Sequence, residues 1–247
     1  MHHLAAYRAS IAQNSDLQVA ALTDQILTIQ NSNFLPQMDM PILFAGACSA
    51  NLNRSRLITP SFRGITTPFI RPVSVAANFG YPQRVVDYTE ENLIARRLEE
   101  LQVNAVQTGA GAETVTVLVG LLTQREAAPL GPCYTIRGTS TTAATSGAWS
   151  DVTVTWQDIL PQGTYAVIGG ETQSTNALGF RIIFENQFFR PGGLSVTSLG
   201  NGADKLFRMG GLGTWGRFSS NAFPNIQVLA GGADAAHEIF LDLVKVG

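Results

Sequence analysis

The chain predicts an all-β protein: two tandem antiparallel β-sandwiches behind a short N-terminal helical arm. Three observations carry that reading. From about Pro41 onward, short alternating or β-branched runs are separated by Gly, Pro and Asn turns, with no helices interleaved. The second half faintly repeats the first: Phe69-Ile70-Arg71-Pro72, Leu101-Gln102-Val103-Asn104-Ala105 and Gly111-Ala112-Glu113 are echoed in order by Phe188-Phe189-Arg190-Pro191, Ile226-Gln227-Val228-Leu229-Ala230 and Gly232-Ala233-Asp234. The offsets are 119, 125 and 121 residues, near half of 247, as expected of one unit built twice. Charged residues are 14% of the chain, against roughly 25% in an ordinary soluble domain. A surface so poor in charge points to extensive cover by other copies.

The elements follow in order. Residues 1–40 read as the helical arm. Ser15 and Gln18 have capping-box spacing, and Val19, Leu22, Ile26 and Ile29 follow at helical intervals as an assembly stripe. Leu4, Tyr7 and Ile11 suggest a shorter helix before it, and Pro36 and Pro41 end the helical part. Residues 41–126 form the first sandwich, where Val115, Val117 and Val119 alternate with Thr114 and Thr116. Thr89 to Leu101, rich in Glu and Arg, is compatible with a helical turn or two inside it. Ala127 to Pro132 is the linker. Residues 133–247 form the second sandwich: Val152, Val154 and Trp156 alternate with Thr153 and Thr155, and Ile239, Leu241 and Leu243 with Phe240, Asp242 and Val244.

Composition excludes several classes. A net charge of −2 gives no field toward nucleic acid or anionic lipid. No basic segment followed by an apolar run marks a signal peptide at Met1, and no stretch approaches the ~20 apolar residues of a membrane span. Cys48 and Cys133, 85 positions apart, read as small buried hydrophobes rather than a disulfide or zinc framework.

No constellation points to catalysis. His2 and His3 lie at a terminus expected to move, and His237, near Asp234 and Glu238, reads as a residue opening the last strand. Gly211-Leu212-Gly213-Thr214-Trp215-Gly216 matches GxGxxG, but no helix follows to meet a phosphate, so a mobile surface loop is expected. Asp87, Glu90 and Glu91 read as a solvated acidic turn in preference to a structural Ca2+ site. Arg54, Arg56, Arg63 and Arg71, with no acid between them, are candidate inner-face basic residues facing phosphates or pairing with carboxylates. The chain is therefore expected to be no enzyme and to need no cofactor.

The arm, the two consecutive β units, the Pro/Gly hinge and the charge-poor composition together resemble the double jelly-roll major capsid proteins of tailless icosahedral viruses, including lipid-containing phages. No signature motif accompanies the resemblance. The chain departs from the family in the shortness of its first unit, which leaves little beyond eight strands of roughly 5–6 residues and their turns. The resemblance implies two jelly rolls, a pseudo-hexagonal homotrimer, and an N-terminal arm on the inner side of the shell. The partners implied are neighbouring trimers, other capsid proteins such as vertex proteins, and an inner membrane or genome contacted without specificity. It places the protein in the virion capsid, assembled in the host cytoplasm. The competing reading is a trimeric β-sandwich recognition spike that binds carbohydrate, with Trp149, Trp156 and Trp215 as its candidates. A cupin-like enzyme comes third, because its His/Glu metal cluster is missing.

Overall fold

The computed structural model describes residues 1–62, 85–195 and 204–247. They divide into an N-terminal unit, Ala5–Leu122, and a C-terminal unit, Met1–Leu4 with Thr123–Gly247. The sequence-derived bounds of 1–40, 41–126 and 133–247 differ from this: the division falls at 122/123, and no separate arm stands apart from the N-terminal unit. Echoing residues Phe69 to Pro72, together with Arg63 and Arg71, lie outside the described residues.

Among the described residues, ten strands lead through the first part of the chain: β1 (His2–Ile11), β2 (Leu17–Val19), β3 (Thr28–Gln30), β4 (Asn33–Leu35), β5 (Met40–Cys48), β6 (Leu52–Ile58), β7 (Val85–Asp87), β8 (Ile94–Ala95), β9 (Gln102–Gln107) and β10 (Glu113–Leu122). The arm expected to be helical is thus four strands. Two physical facts overturn the helical reading. Residues 2–7 of β1 are buried without alternation, and a strand buried on both faces has no period-2 signature to oppose an accidental 3/4 spacing. In addition, Asn31 and Ser32 both have positive φ, 50° and 64°, and form the two-residue loop of the β3–β4 hairpin, where Gln30 pairs with Asn33. That is the turn that matches strand twist, and it cannot lie within a helix. The Gln18 amide, read as part of a capping box, instead donates to Asn33 Oδ1 at 2.8 Å.

The stripe residues consequently part company. Val19 pairs with Val103 and is fully buried; Leu22 and Ile26 are half-buried, and Ile29 is exposed. The stretch Thr89 to Leu101 likewise holds turns and β8 rather than a helix.

The N-terminal unit has one sheet in the order β1-β10-β5-β7, with β8 also on β5, a second sheet β2-β9-β6, and the β3–β4 hairpin. Tyr7, Phe34, Phe44, Val103 and Val117 are fully buried in its core, each such side chain contributing about 1.5–3 kcal/mol of transfer free energy. Gly120 lies opposite Phe44 on the neighbouring strand. A Cβ there would stand 2.2 Å from the Phe44 ring, so the glycine makes room for the aromatic face.

The C-terminal unit continues with β11 (Cys133–Ser140), β12 (Trp149–Val152), β13 (Thr155–Trp156), β14 (Thr164–Gln173), β15 (Ala177–Ile183), β16 (Gly192–Leu194), the one-turn helix α1 (Asp204–Phe207), β17 (Gly216–Ser219), β18 (Asn225–Ala230) and β19 (His237–Lys245). Its sheets run β13-β11-β19-β14-β17 and β12-β18-β15-β16. The continuous alternation from Val152 to Trp156 is broken, with β12 pairing to β18 in one sheet and β13 to β11 in the other. Phe180, Trp215, Tyr165 and Leu241 are fully buried.

Apart from the hairpin, β8 and β13, the C-terminal unit has eight strands, numbered 1 to 8 in chain order, and the N-terminal unit has seven among the described residues. The seven take the numbers of the strands at the same sheet positions, so that β7, β9 and β10 are 6, 7 and 8 and number 5 belongs to β16 alone. Both first sheets then read 1-8-3-6: β1-β10-β5-β7 and β11-β19-β14-β17. Both second sheets begin 2-7-4: β2-β9-β6 and β12-β18-β15, the latter continuing to β16, which has no counterpart among the described residues.

Candidate functional site

The shared strand order brings the sequence echoes into register. Leu101 to Ala105 and Ile226 to Ala230 fall on β9 and β18, the seventh strand of each unit, and Gly111-Ala112-Glu113 and Gly232-Ala233-Asp234 lead into the eighth. The two acids do the same work. Glu113 accepts hydrogen bonds from Ser49 Oγ at 3.1 Å, from the Asn51 backbone N–H at 2.9 Å and from the Asn51 side-chain amide. Asp234 accepts from Ser174 Oγ and from the Asn176 backbone N–H at 3.3 Å. In both units the loop after the seventh strand also donates to that asparagine's carbonyl: Thr108 N–H to Asn51 O at 3.0 Å, Gly231 N–H to Asn176 O at 2.8 Å. Aspartate is one methylene shorter than glutamate, and the Asn176 amide turns to Ala233 O instead, at 2.8 Å. Each carboxylate thus clamps the third-to-fourth-strand loop to the seventh-to-eighth-strand loop through charge-assisted hydrogen bonds. Sequence reading found the acids and missed their partners. The signal was present: Ser174-x-Asn176 follows Ser49-x-Asn51 by 125 residues, one of the offsets already shown by the other echoes.

A second polar site sits on the first sheet of the C-terminal unit. Asp242, on β19 and fully buried, accepts from Arg208 Nε at 2.6 Å and Nη2 at 2.8 Å, from Met209 N–H at 3.1 Å and from Thr135 Oγ1 at 2.7 Å. Glu171 adds a carboxylate 3.2 Å from Arg208 Nη1. Burial pushes the Asp242 carboxyl up, but the hydrogen bonds from Arg208, Thr135 and Met209 outweigh it and hold the group below its usual range. The same pairing raises Arg208. The backbone at Phe207 and Arg208 rests on Gly169, where a Cβ would come within 2.6 Å of Phe207 O.

The GxGxxG segment is not a mobile loop. Thr214 and Trp215 are fully buried, and Thr214 bonds to Glu126 O at 2.9 Å through its N–H and to Ala127 O at 2.9 Å through its hydroxyl. Gly213, at φ 74°, would place a Cβ 2.2 Å from Glu126 O. The glycines allow the linker backbone to lie against this segment, and Ala128 packs on Ala166, Ile168 and Val244. Cys133, read as buried, is exposed at the end of that linker, 3.5 Å from Met209 Sδ; Cys48 is buried.

The remaining sequence candidates are dispersed. Arg54 and Arg56 lie on β6; Arg56 pairs with Asp16 at 2.8 Å, and Arg54 donates to Asn53 Oδ1 at 3.2 Å. Asp87 accepts from Thr89 N–H and Oγ1 at 2.9 and 2.7 Å, closing a local turn. The three tryptophans do not converge. Trp215 is buried, Trp149 lies 4.4 Å beneath the Arg181 guanidinium, and Trp156 stacks on Phe223 at 5.4 Å. Hollows of about 480 and 530 Å³ flank Phe223, but Phe223 is covered by Trp156 and by Phe218, 5.3 Å away. Those ring faces are spent on one another. His2 and His3, expected to move, are fully buried, and His237 is buried too.

No protein-family model matches the chain, and no curated protein matches it. Among solved structures, the crystal structure of the major capsid protein P2 from Bacteriophage PM2 is similar over 97% of this chain and 98% of that one, at 10% identity and a TM-score of 0.23. Likeness at that level carries no structural argument, so the architecture is read from strand order alone.

Proposed function

We propose that the chain is a double jelly roll and a shell-forming structural protein, the major capsid protein of an icosahedral virus. The observation that carries this reading is the repeated strand order, 1-8-3-6 facing 2-7-4, with the same acid-clamped corner in each unit. In an eight-stranded jelly roll, two Greek keys generate that order, and viral shells are among its main users. Two fused lobes per chain and three chains per closed ring supply six similar lobes, which fit a hexagonal lattice position. The charge-poor composition, 14%, supports a surface covered by copies of itself. On this reading the protein catalyses nothing and needs no cofactor. It resides in the virion and meets neighbouring trimers, vertex proteins and the shell's contents.

Light scattering at micromolar concentration tests the proposal, with negative-stain images of the same material. A trimer with a six-lobed outline is expected, and its interfaces should each bury upwards of ~2,000 Å². A stable monomer across that concentration range overturns it.

A further inference from the structure

The chain has three histidines, His2, His3 and His237, and residues 5–122 contain none. All three are buried, and all belong to the C-terminal unit. His2 Nε2 lies 2.7 Å from Gly192 O and 3.1 Å from Gly192 N, at the start of β16. His3 Nδ1 accepts the Arg190 N–H at 3.2 Å, a role that only an unprotonated nitrogen fills. Together they fasten residues 2 and 3 beside residues 190–192. His237 opens β19 at the Asp234 corner. Its side chain is fully buried, neither ring nitrogen completes a hydrogen bond, and Asp234 Oδ2 stands 3.6 Å away.

We propose that the C-terminal unit is a proton-operated switch: uncharged imidazoles hold residues 1–4 and the Asp234 corner closed at neutral pH, and mild acid opens both while the N-terminal unit stays closed. The groups facing each ring decide the sign. His2 meets the Gly192 backbone, the edge of Trp215 at 5.1 Å, and two groups that repel a proton, the Met1 ammonium and His3. Glu126 faces that ammonium rather than the ring. Burial is the largest cause, and it pushes His2 down to about 3. His3 meets the Phe189 ring at 6.1 Å and the Arg190 backbone, while the Arg190 guanidinium reaches Gln227 at 2.9 Å. His237 faces Asp234, Ser140 on β11 and the Thr142 backbone; its neighbour Glu238 is held by Arg137. Burial lowers His237 and outweighs the opposing pull of Asp234 and of the Thr142 backbone. Stability from a depressed histidine is complete above its ordinary value near 6.5 and is lost progressively as pH falls below it. A charged His237 would also compete with Ser174 and Asn176 for Asp234.

The fold contains its own control. Counting from the paired acids, the place of His237 is taken in the N-terminal unit by Thr116, which is buried and accepts a hydrogen bond from Arg8 Nη1 at 2.8 Å.

Hydrogen exchange by mass spectrometry on the full chain, at pH 7.5 and 5.0 and corrected for intrinsic rates, tests the proposal. Opening at 170–178 and 228–240 should rise by up to about 30-fold, the ratio expected for one histidine that titrates only when open, and opening at residues 1–4, which hold two, by at least as much. Residues 40–58 and 101–122 should change by less than about threefold on the same argument. His237→Thr should abolish the response at 170–178 and 228–240 and leave it at 1–4. Equal acceleration in both units, no acceleration, or an undiminished response in the variant overturns the proposal. Should the variant fail to fold, NMR titration of the wild-type imidazoles decides: His2 should remain neutral in the closed form down to pH 5 and His237 should titrate below its ordinary value, and midpoints at or above 6.5 overturn it.

Discussion

Asp242 shows how a single side chain anchors a segment. Its carboxylate is fully buried on β19 and accepts four hydrogen bonds, two of them from Arg208. Asp242→Asn keeps the shape but, in either orientation, turns an amide donor toward an Arg208 N–H, which only donates, and should cost roughly 2–3 kcal/mol in urea unfolding. The pH dependence follows from the carboxyl's depressed value. Its contribution is present above about pH 4 and disappears as pH falls through the folded value. The gap in stability between wild type and Asp242→Asn should therefore close in strong acid. A gap that stays constant down to pH 2 would mean that the Asp242 carboxyl titrates alike in the folded and unfolded chain.

Among the elements, pairs of strands and their loops carry the duplication. Glu113→Gln introduces an amide that opposes the Asn51 donors, and Asp234→Asn does the same against Ser174 and Asn176. Each should destabilise its own unit by about 1–3 kcal/mol, read by unit-specific hydrogen exchange. Unchanged protection at Ser49–Leu52 in Glu113→Gln would show that the clamp is not what holds that loop. Gly120 makes the complementary point about packing, because a methyl group there would stand 2.2 Å from the Phe44 ring. Gly120→Ala should cost about 1–3 kcal/mol by overpacking, and the double variant Gly120→Ala with Phe44→Leu should recover part of it. No recovery would place the strain elsewhere.

At the scale of the whole molecule, residues 1–35 are not detachable. They supply β1 through β4, and bury Leu4, Tyr7, Val19 and Phe34; the Tyr7 hydroxyl bonds to Leu101 O at 2.6 Å. Deleting them should abolish the fold of the N-terminal unit, with loss of near-ultraviolet circular dichroism and of solubility, because one strand of each sheet goes with them. A soluble truncated protein with native spectra would restore the detachable arm that the helical spacing implied.

Sequence alone determined the all-β character from Pro41 onward, because Gly, Pro and Asn punctuate runs of period 2 whatever the strands later pair with. It also determined the internal echo at β9 and β18 and at the two acids, since the same corner needs an acid in each unit. Tertiary structure alone decided the N-terminal strands. Their helical spacing was local, whereas the burial of β1 on both faces and its pairing with β10 come from residues about a hundred positions away. It also decided the split of Val152 to Trp156 between two sheets, since alternation records which face a residue takes and never which neighbour its backbone finds. The histidines were settled the same way. Nothing in three scattered imidazoles marks them as buried in one unit until residues 1–4 and the last strand are folded into it.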